Sequence, residues 1–284
     1  MSNEQDGRVF PAPVGRDLAN GRHLGYQYRV EIKRMSANYP EVFARFYDLI
    51  YSRVRDGVDT EFYLSRIEKM TGKTLEIGAG TGRFFLSALN RGADIYGIDI
   101  SSAMLGVLRS KLSPAEHHRI SLQDFTTFRF DFGFDLIIAP FRVFMHLLKK
   151  DEQLLAVDNA WNHLNPGGTL IFDVFIPDLK QLITGLDALT DFEGEYEPGK
   201  KVRRITSTKP DLLNQLIHVM FRLEWDESGG RKSAEWGLPL RYFFRFELEH
   251  LVERSKFTKY DIFGDFEGNP LRQDSKEFIV CCNK

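Results

Sequence analysis

A chain of 284 residues, 43% of them hydrophobic, can bury one large core or a core with a smaller subdomain. Its longest apolar runs fall far short of the roughly 20 residues that span a bilayer, and the polar first eight residues carry no signal-peptide core, so neither a membrane segment nor export is expected. With 38 basic against 40 acidic residues there is no positive excess to neutralise phosphates, which disfavours a nucleic-acid partner.

Residues 1–37 mix Gly, Pro and charge without periodicity and are expected to form an N-terminal extension or lid. From Tyr39, the residues Val42, Phe43, Phe46, Tyr47, Leu49 and Ile50 recur at helical spacing, and a second helical stretch follows at 61–70. Strand and helix then alternate. Strands are expected at 74–77, 94–98, 119–122, 134–139 and 169–174, with helices at 83–90, 102–111 and 151–164 and a turn at Asn165-Pro166-Gly167-Gly168. This rhythm predicts an α/β fold, a parallel sheet covered on both faces. After Leu186 it breaks. The runs 202–208, 215–225 and 238–246, separated by Lys209-Pro210-Asp211 and Ser228-Gly229-Gly230, read as an antiparallel insert over 191–245. A helix at 247–255 and strands at 260–263 and 277–282 return to the core, which therefore comprises 38–190 and 246–284. Cys281 and Cys282 are adjacent on the last strand, where neighbouring side chains point to opposite faces and do not bridge; a reducing, cytoplasmic setting is expected.

The strongest chemical signal is Leu75-Glu76-Ile77-Gly78-Ala79-Gly80-Thr81-Gly82-Arg83, a strand running into a glycine-rich turn and a helix. Glycines remove side chains between backbone and ligand, and the turn is expected to aim its amides at that ligand. Dinucleotide enzymes place their third glycine one residue later, around a pyrophosphate. The G-x-G-x-G spacing behind Glu76 suits a nucleoside ligand with an ammonium group and no phosphate. Asp99, 21 residues after Gly78 at the end of the second strand, can accept hydrogen bonds from both hydroxyls of a ribose, while Ser101 caps the next helix. Asp124 follows the third strand, where it can meet an adenine amino group beside the apolar edge of Phe125; a solvated loop Asp is the alternative.

LEIGAGTG at 75–82, GIDIS at 97–101, Asp124-Phe125, FDLIIA at 134–139 and HLNPGGTLIFDV at 163–174 together resemble class I S-adenosylmethionine-dependent methyltransferases over roughly residues 39–284. The resemblance implies a Rossmann-like, doubly wound, mainly parallel seven-stranded sheet. It implies S-adenosylmethionine as cofactor, held by Tyr39, Glu76, Gly78, Ala79, Gly80, Gly82, Asp99, Ile100, Met104, Asp124, Phe125 and Ala139. Phe46-Tyr47-Asp48-Leu49-Ile50-Tyr51 looks like the YDxxY segment of the small-molecule branch, which includes amino-sugar N-methyltransferases, and the match implies Tyr51 beside the transferable methyl. An insert before the last helix also resembles that branch, in which it roofs the acceptor pocket.

After the fourth strand the chain reads Ala139-Pro140-Phe141-Arg142, which departs from the motifs of enzymes methylating adenine, glutamine or cytosine. His146 is a candidate general base or a structural histidine. Arg142 would hold an acidic acceptor or the methionine carboxylate, or form a surface ion pair. Asp173 would bind an acceptor amine or cap the next segment. Trp236, Arg241 and Tyr242 near the closing strand of the insert would wall the acceptor pocket, unless the insert is a dimerisation sheet. The expected partner is a small polar acceptor methylated on O or N, with no nucleic acid, membrane or metal, in a monomer or homodimer. The alternatives are an RNA or protein methyltransferase and a catalytically silent S-adenosylmethionine-binding subunit.

Overall fold

A computed structural model describes residues 39–54 and 57–284. The expected N-terminal extension lies outside these. Two helices come first, α1 (Glu41–Val54) and α2 (Val58–Ile67), followed by β1 (Thr74–Ile77), α3 (Arg83–Asn90), β2 (Ile95–Asp99), α4 (Ser102–Lys111) and β3 (Ile120–Leu122). Next are β4 (Phe134–Ala139), α5 (Lys150–His163), β5 (Leu164–Phe175) and α6 (Leu179–Thr184). The insert then supplies β6 (Leu186–Glu197), β7 (Lys200–Asp211), β8 (Leu216–Glu227) and β9 (Gly230–Arg241), before α7 (Arg245–Glu253), β10 (Lys259–Phe263) and β11 (Glu277–Asn283).

The core sheet has seven strands in the order β10-β11-β5-β4-β1-β2-β3. β5, β4, β1, β2 and β3 run parallel, and β11 and β10 close one edge antiparallel. The continuous apolar sequence of β4 follows from burial on both sides: Ile137 packs into the core on one face, Leu136 and Ile138 into that on the other. Cys281 and Cys282 divide in the same way between the two faces and remain free thiols, and burial pushes the Cys281 thiol up to about 11. The strand order reverses between β1 and β4, and the carboxyl ends there open the crevice in which doubly wound sheets bind ligands.

The insert is a four-stranded antiparallel sheet, β6-β7-β8-β9. It differs from the expectation at both ends. Its first strand, β6, begins at Leu186, and its last ends at Arg241 instead of reaching Phe246. Glu227 pairs with Gly230, so the chain reverses through Ser228-Gly229, with Gly229 at φ 101°, and β9 starts at once. At the other end the Phe244 amide donates to the Glu247 carboxylate (2.9 Å), a cap that starts α7 at Arg245. The apolar stripe of α1, with Phe43, Phe46 and Ile50, packs against Phe192, Val202, Leu223 and Trp225 of the insert in a core of its own.

Candidate active site

A cavity of about 260 Å³ lies over the carboxyl ends of β1, β2 and β4. Gly78 and Gly80 form its floor after β1. At Gly78, φ is 71° and a Cβ would come 2.4 Å from a Val143 methyl, so only glycine lets the backbone pass under the Val143 side chain. Gly82 serves packing instead: a Cβ there would lie 2.4 Å from a Leu108 methyl. Four of the turn's amides, expected to face a ligand, donate to protein acceptors instead. Gly78 N and Ala79 N donate to the Ile98 carbonyl (2.7 and 3.0 Å), Gly82 N to the Ala79 carbonyl (2.9 Å), and Gly80 N to Asp99 Oδ2 (2.9 Å). With these donors taken by protein acceptors, the turn is poorly equipped to bind a pyrophosphate.

Asp99 lines the cavity, and its other oxygen accepts from Ser101 N (2.7 Å). Burial raises its pKa, and the amides of Ser101, Gly80 and Ile100 oppose that shift. Ser101 caps α4 as expected, its hydroxyl accepting from Met104 N (3.3 Å). Glu76 is 1% exposed, and its Oε2 has no hydrogen-bond partner among the described residues. Burial pushes its pKa well above the usual carboxylate range, with Arg83 opposing and Asp99 adding to the shift. A buried acceptor left unmatched costs about 1–3 kcal/mol, and a cationic donor would recover it.

Tyr39, Ile100, Met104, Asp124, Phe125 and His146 also line the cavity. Asp124 is held in a local turn, its Oδ1 accepting from Thr126 N (2.7 Å). Burial lowers the His146 pKa to about 4, so the imidazole is neutral near pH 7 and free of a proton it would have to shed before acting as a base. Ala79 and Ala139 are buried in the cores flanking the sheet and do not line the cavity.

Tyr47 and Phe141 line the cavity too, although neither was singled out from sequence. Tyr51 stands behind them, its ring 4.4 Å from Tyr47 and 5.2 Å from Phe141. The i, i+4 spacing of Tyr47 and Tyr51 on α1 was the available signal. The intervening Asp48 fastens α1 to the glycine turn, accepting from the Thr81 hydroxyl and from Lys111 Nζ (each 2.6 Å).

Phe141 and Arg142 both have left-handed backbones, at φ 59° and 66°. Asp173, fully buried at the end of β5, holds them: it accepts from Phe141 N (2.8 Å), Arg142 N (3.0 Å) and the Tyr63 hydroxyl (2.6 Å). This loop turns Phe141 toward the first cavity and Arg142 toward a second one of about 360 Å³. Arg142 Nη2 donates to Glu277 Oε1 (2.9 Å), while Arg142 Nε and Glu277 Oε2 have no hydrogen-bond partner among the described residues. The insert contributes Thr208, Ile217, Val219 and Leu240 to this second cavity. Trp236, Arg241 and Tyr242, expected to wall an acceptor pocket, line neither of these two cavities. Trp236 packs 4.2 Å from Tyr39, Arg241 Nε donates to the Leu148 carbonyl (2.7 Å), and Tyr242 is buried in the main core.

No helix among the described residues is long and apolar enough to cross a membrane, and no group of three or more His, Cys, Asp or Glu among them could hold a metal.

Residues 75–170 match a family model described as a methyltransferase domain. An uncharacterized methyltransferase of Bacillus cereus (strain 03BB102) is 32% identical over 134 residues, 47% of this chain and 55% of the relative; the chain thus spans about half the length of the curated relatives it matches. Among solved structures, an S-adenosylmethionine-dependent methyltransferase from Clostridium acetobutylicum ATCC 824 superposes with a TM-score of 0.69 at 18% identity, covering 85% of this chain and 97% of its own. The sugar N-methyltransferase KedS8 from Streptoalloteichus sp ATCC 53650 superposes at 0.68 and 17% identity, covering 95% and 98%. The segment 75–170 is a methyltransferase domain, and it is carried in the Rossmann-like fold of S-adenosylmethionine-dependent methyltransferases.

Proposed function

We propose that this protein transfers a methyl group from S-adenosylmethionine to an oxygen or nitrogen of a small polar molecule. The observation that carries the donor assignment is the unmatched Glu76 carboxylate oxygen, buried beside a turn in which the amides of Gly78, Ala79, Gly80 and Gly82 are already bonded. Glu76 would hold the ammonium group, Asp99 the ribose hydroxyls, and Asp124 with Phe125 the adenine. When bound, the sulfonium supplies an activated methyl group, so alignment and exclusion of water are the protein's main tasks. Tyr39, Tyr47 and Phe141 wall the cavity with apolar ring surface, and burial keeps the phenols of Tyr39 and Tyr47 neutral. A hydroxyl acceptor would need a base, which His146, its proton affinity lowered by burial, supplies only weakly, whereas a neutral amine can attack before losing a proton.

The second cavity is the proposed acceptor site. Its apolar wall from Phe175, Ile217, Val219 and Leu240, with Arg142 and Glu277 as polar handles, suits a small amphipathic molecule, and the likeness to a sugar N-methyltransferase agrees with that class. Calorimetry tests the donor assignment: S-adenosylhomocysteine should bind and NAD should not, and tighter binding of NAD would overturn it. Val219→Trp, which fills the second cavity, should abolish methyl incorporation into metabolite fractions, read as a methyl mass gain, while leaving S-adenosylhomocysteine affinity unchanged. Undiminished incorporation would place the acceptor elsewhere.

A further inference from the structure

We infer that Arg204, on β7 of the insert, is a positioning residue for the donor cavity and acts through Tyr51; this rests on reading that cavity as an S-adenosylmethionine site. Arg204 is 4% exposed and is the only buried basic side chain among the described residues. Burying a guanidinium is costly unless it is paired and hydrogen-bonded. Here Asp191 grips it with both oxygens, Arg204 Nε to Oδ1 and Nη2 to Oδ2 (each 2.9 Å), and the Thr206 hydroxyl donates to the same Oδ2 (2.8 Å). Burial works to lower the Arg204 pKa, but Tyr51 and Asp191 outweigh it, so the residue is a fixed cation.

That cation lies 4.9 Å from the ring centroids of Tyr51 and Phe221, within the range of a cation–π contact. Tyr51 packs in turn on Tyr47 and Phe141, which line the donor cavity. The physical chain therefore runs from Asp191 through Arg204 and Tyr51 to the aromatic wall around the donor. Arg204, Thr206 and Thr208 share one face of β7 by the two-residue period of a strand, and Thr208 lines the second cavity. One strand face thus spans both cavities, bracing the donor wall at one point and walling the second cavity at another.

A double-mutant cycle read by S-adenosylhomocysteine calorimetry separates this role from a purely structural one. Arg204→Met should weaken binding about tenfold when Tyr51 is present and less than about twofold in a Tyr51→Leu background, because contacting residues couple whereas independent ones add. Arg204→Lys should restore only part of the loss, since an ammonium cannot match the two-pronged grip of Asp191. If Arg204→Met does not fold, Asp191→Asn decides the matter by the same background dependence. Equal losses in both backgrounds, or no loss, would overturn the role of Arg204 while leaving the donor assignment standing. Failure of the unmutated protein to bind S-adenosylhomocysteine would instead remove the donor reading, and this inference with it.

Discussion

Replacing Asp173 by alanine is expected to destabilise the protein by about 3–5 kcal/mol and to weaken S-adenosylhomocysteine binding at the same time. The carboxylate is fully buried and accepts from the Phe141 and Arg142 amides and the Tyr63 hydroxyl. Alanine leaves those donors without their acceptor in the interior, each at about 1–3 kcal/mol. It also releases two consecutive non-glycine residues from left-handed backbones, which persist only where the surroundings enforce them. Phe141 and Val143 line the donor cavity, so relaxation of the loop reaches the ligand. Thermal unfolding should show a fall on the order of 10 °C, and calorimetry a parallel loss of affinity. An unchanged melting point would mean that other contacts hold the loop; a lower melting point with unchanged affinity would mean that the loop does not shape the cavity.

The same residue shows what could be read from sequence and what could not. β4 was legible because a central parallel strand must be apolar on both sides, and α1 because its apolar residues recur at helical spacing. β6 was not. Of its residues only Phe192 is buried, the rest being partly or fully exposed, so Leu186–Glu197 carries little alternation and owes its extended form to pairing with β7. In the site, Gly78, Asp99, Asp124 and Phe125 follow from short, chain-local spacing, and all of them line one cavity. The Tyr63–Asp173 and Arg142–Glu277 contacts join residues 110 and 135 positions apart, and nothing local marks them. Three closely spaced glycines look alike in sequence whether their amides face a ligand or a neighbouring strand; here Gly78 N bonds the Ile98 carbonyl and Gly80 N the Asp99 carboxylate.

Asp99→Ala is expected to weaken S-adenosylhomocysteine binding by about 1.5–3 kcal/mol, roughly 10- to 150-fold, the scale of hydrogen bonds to a charged group. The carboxylate has two tasks, since it also anchors Gly80 N and Ser101 N. A ligand lacking the 2′-hydroxyl separates them: if Asp99 grips the ribose, the deoxy analogue should bind the unmutated protein more weakly than S-adenosylhomocysteine does and bind the alanine variant almost equally. An undiminished preference for the hydroxyl in the variant would confine Asp99 to bracing the turn. The raised pKa of Asp99 adds a pH dependence whose sign is fixed. A carboxyl whose folded pKa exceeds its unfolded value contributes stability that is fully present below the unfolded value and lost as pH rises through the folded one. Ionised Asp99 therefore costs the ligand-free fold stability at neutral pH, and mild acidification relieves that cost by protonating the group that would accept the ribose hydrogen bonds. Ligand affinity should accordingly fall on acidification through the folded-state pKa of Asp99, which burial raises from its ordinary value, and this fall should be reduced in Asp99→Ala.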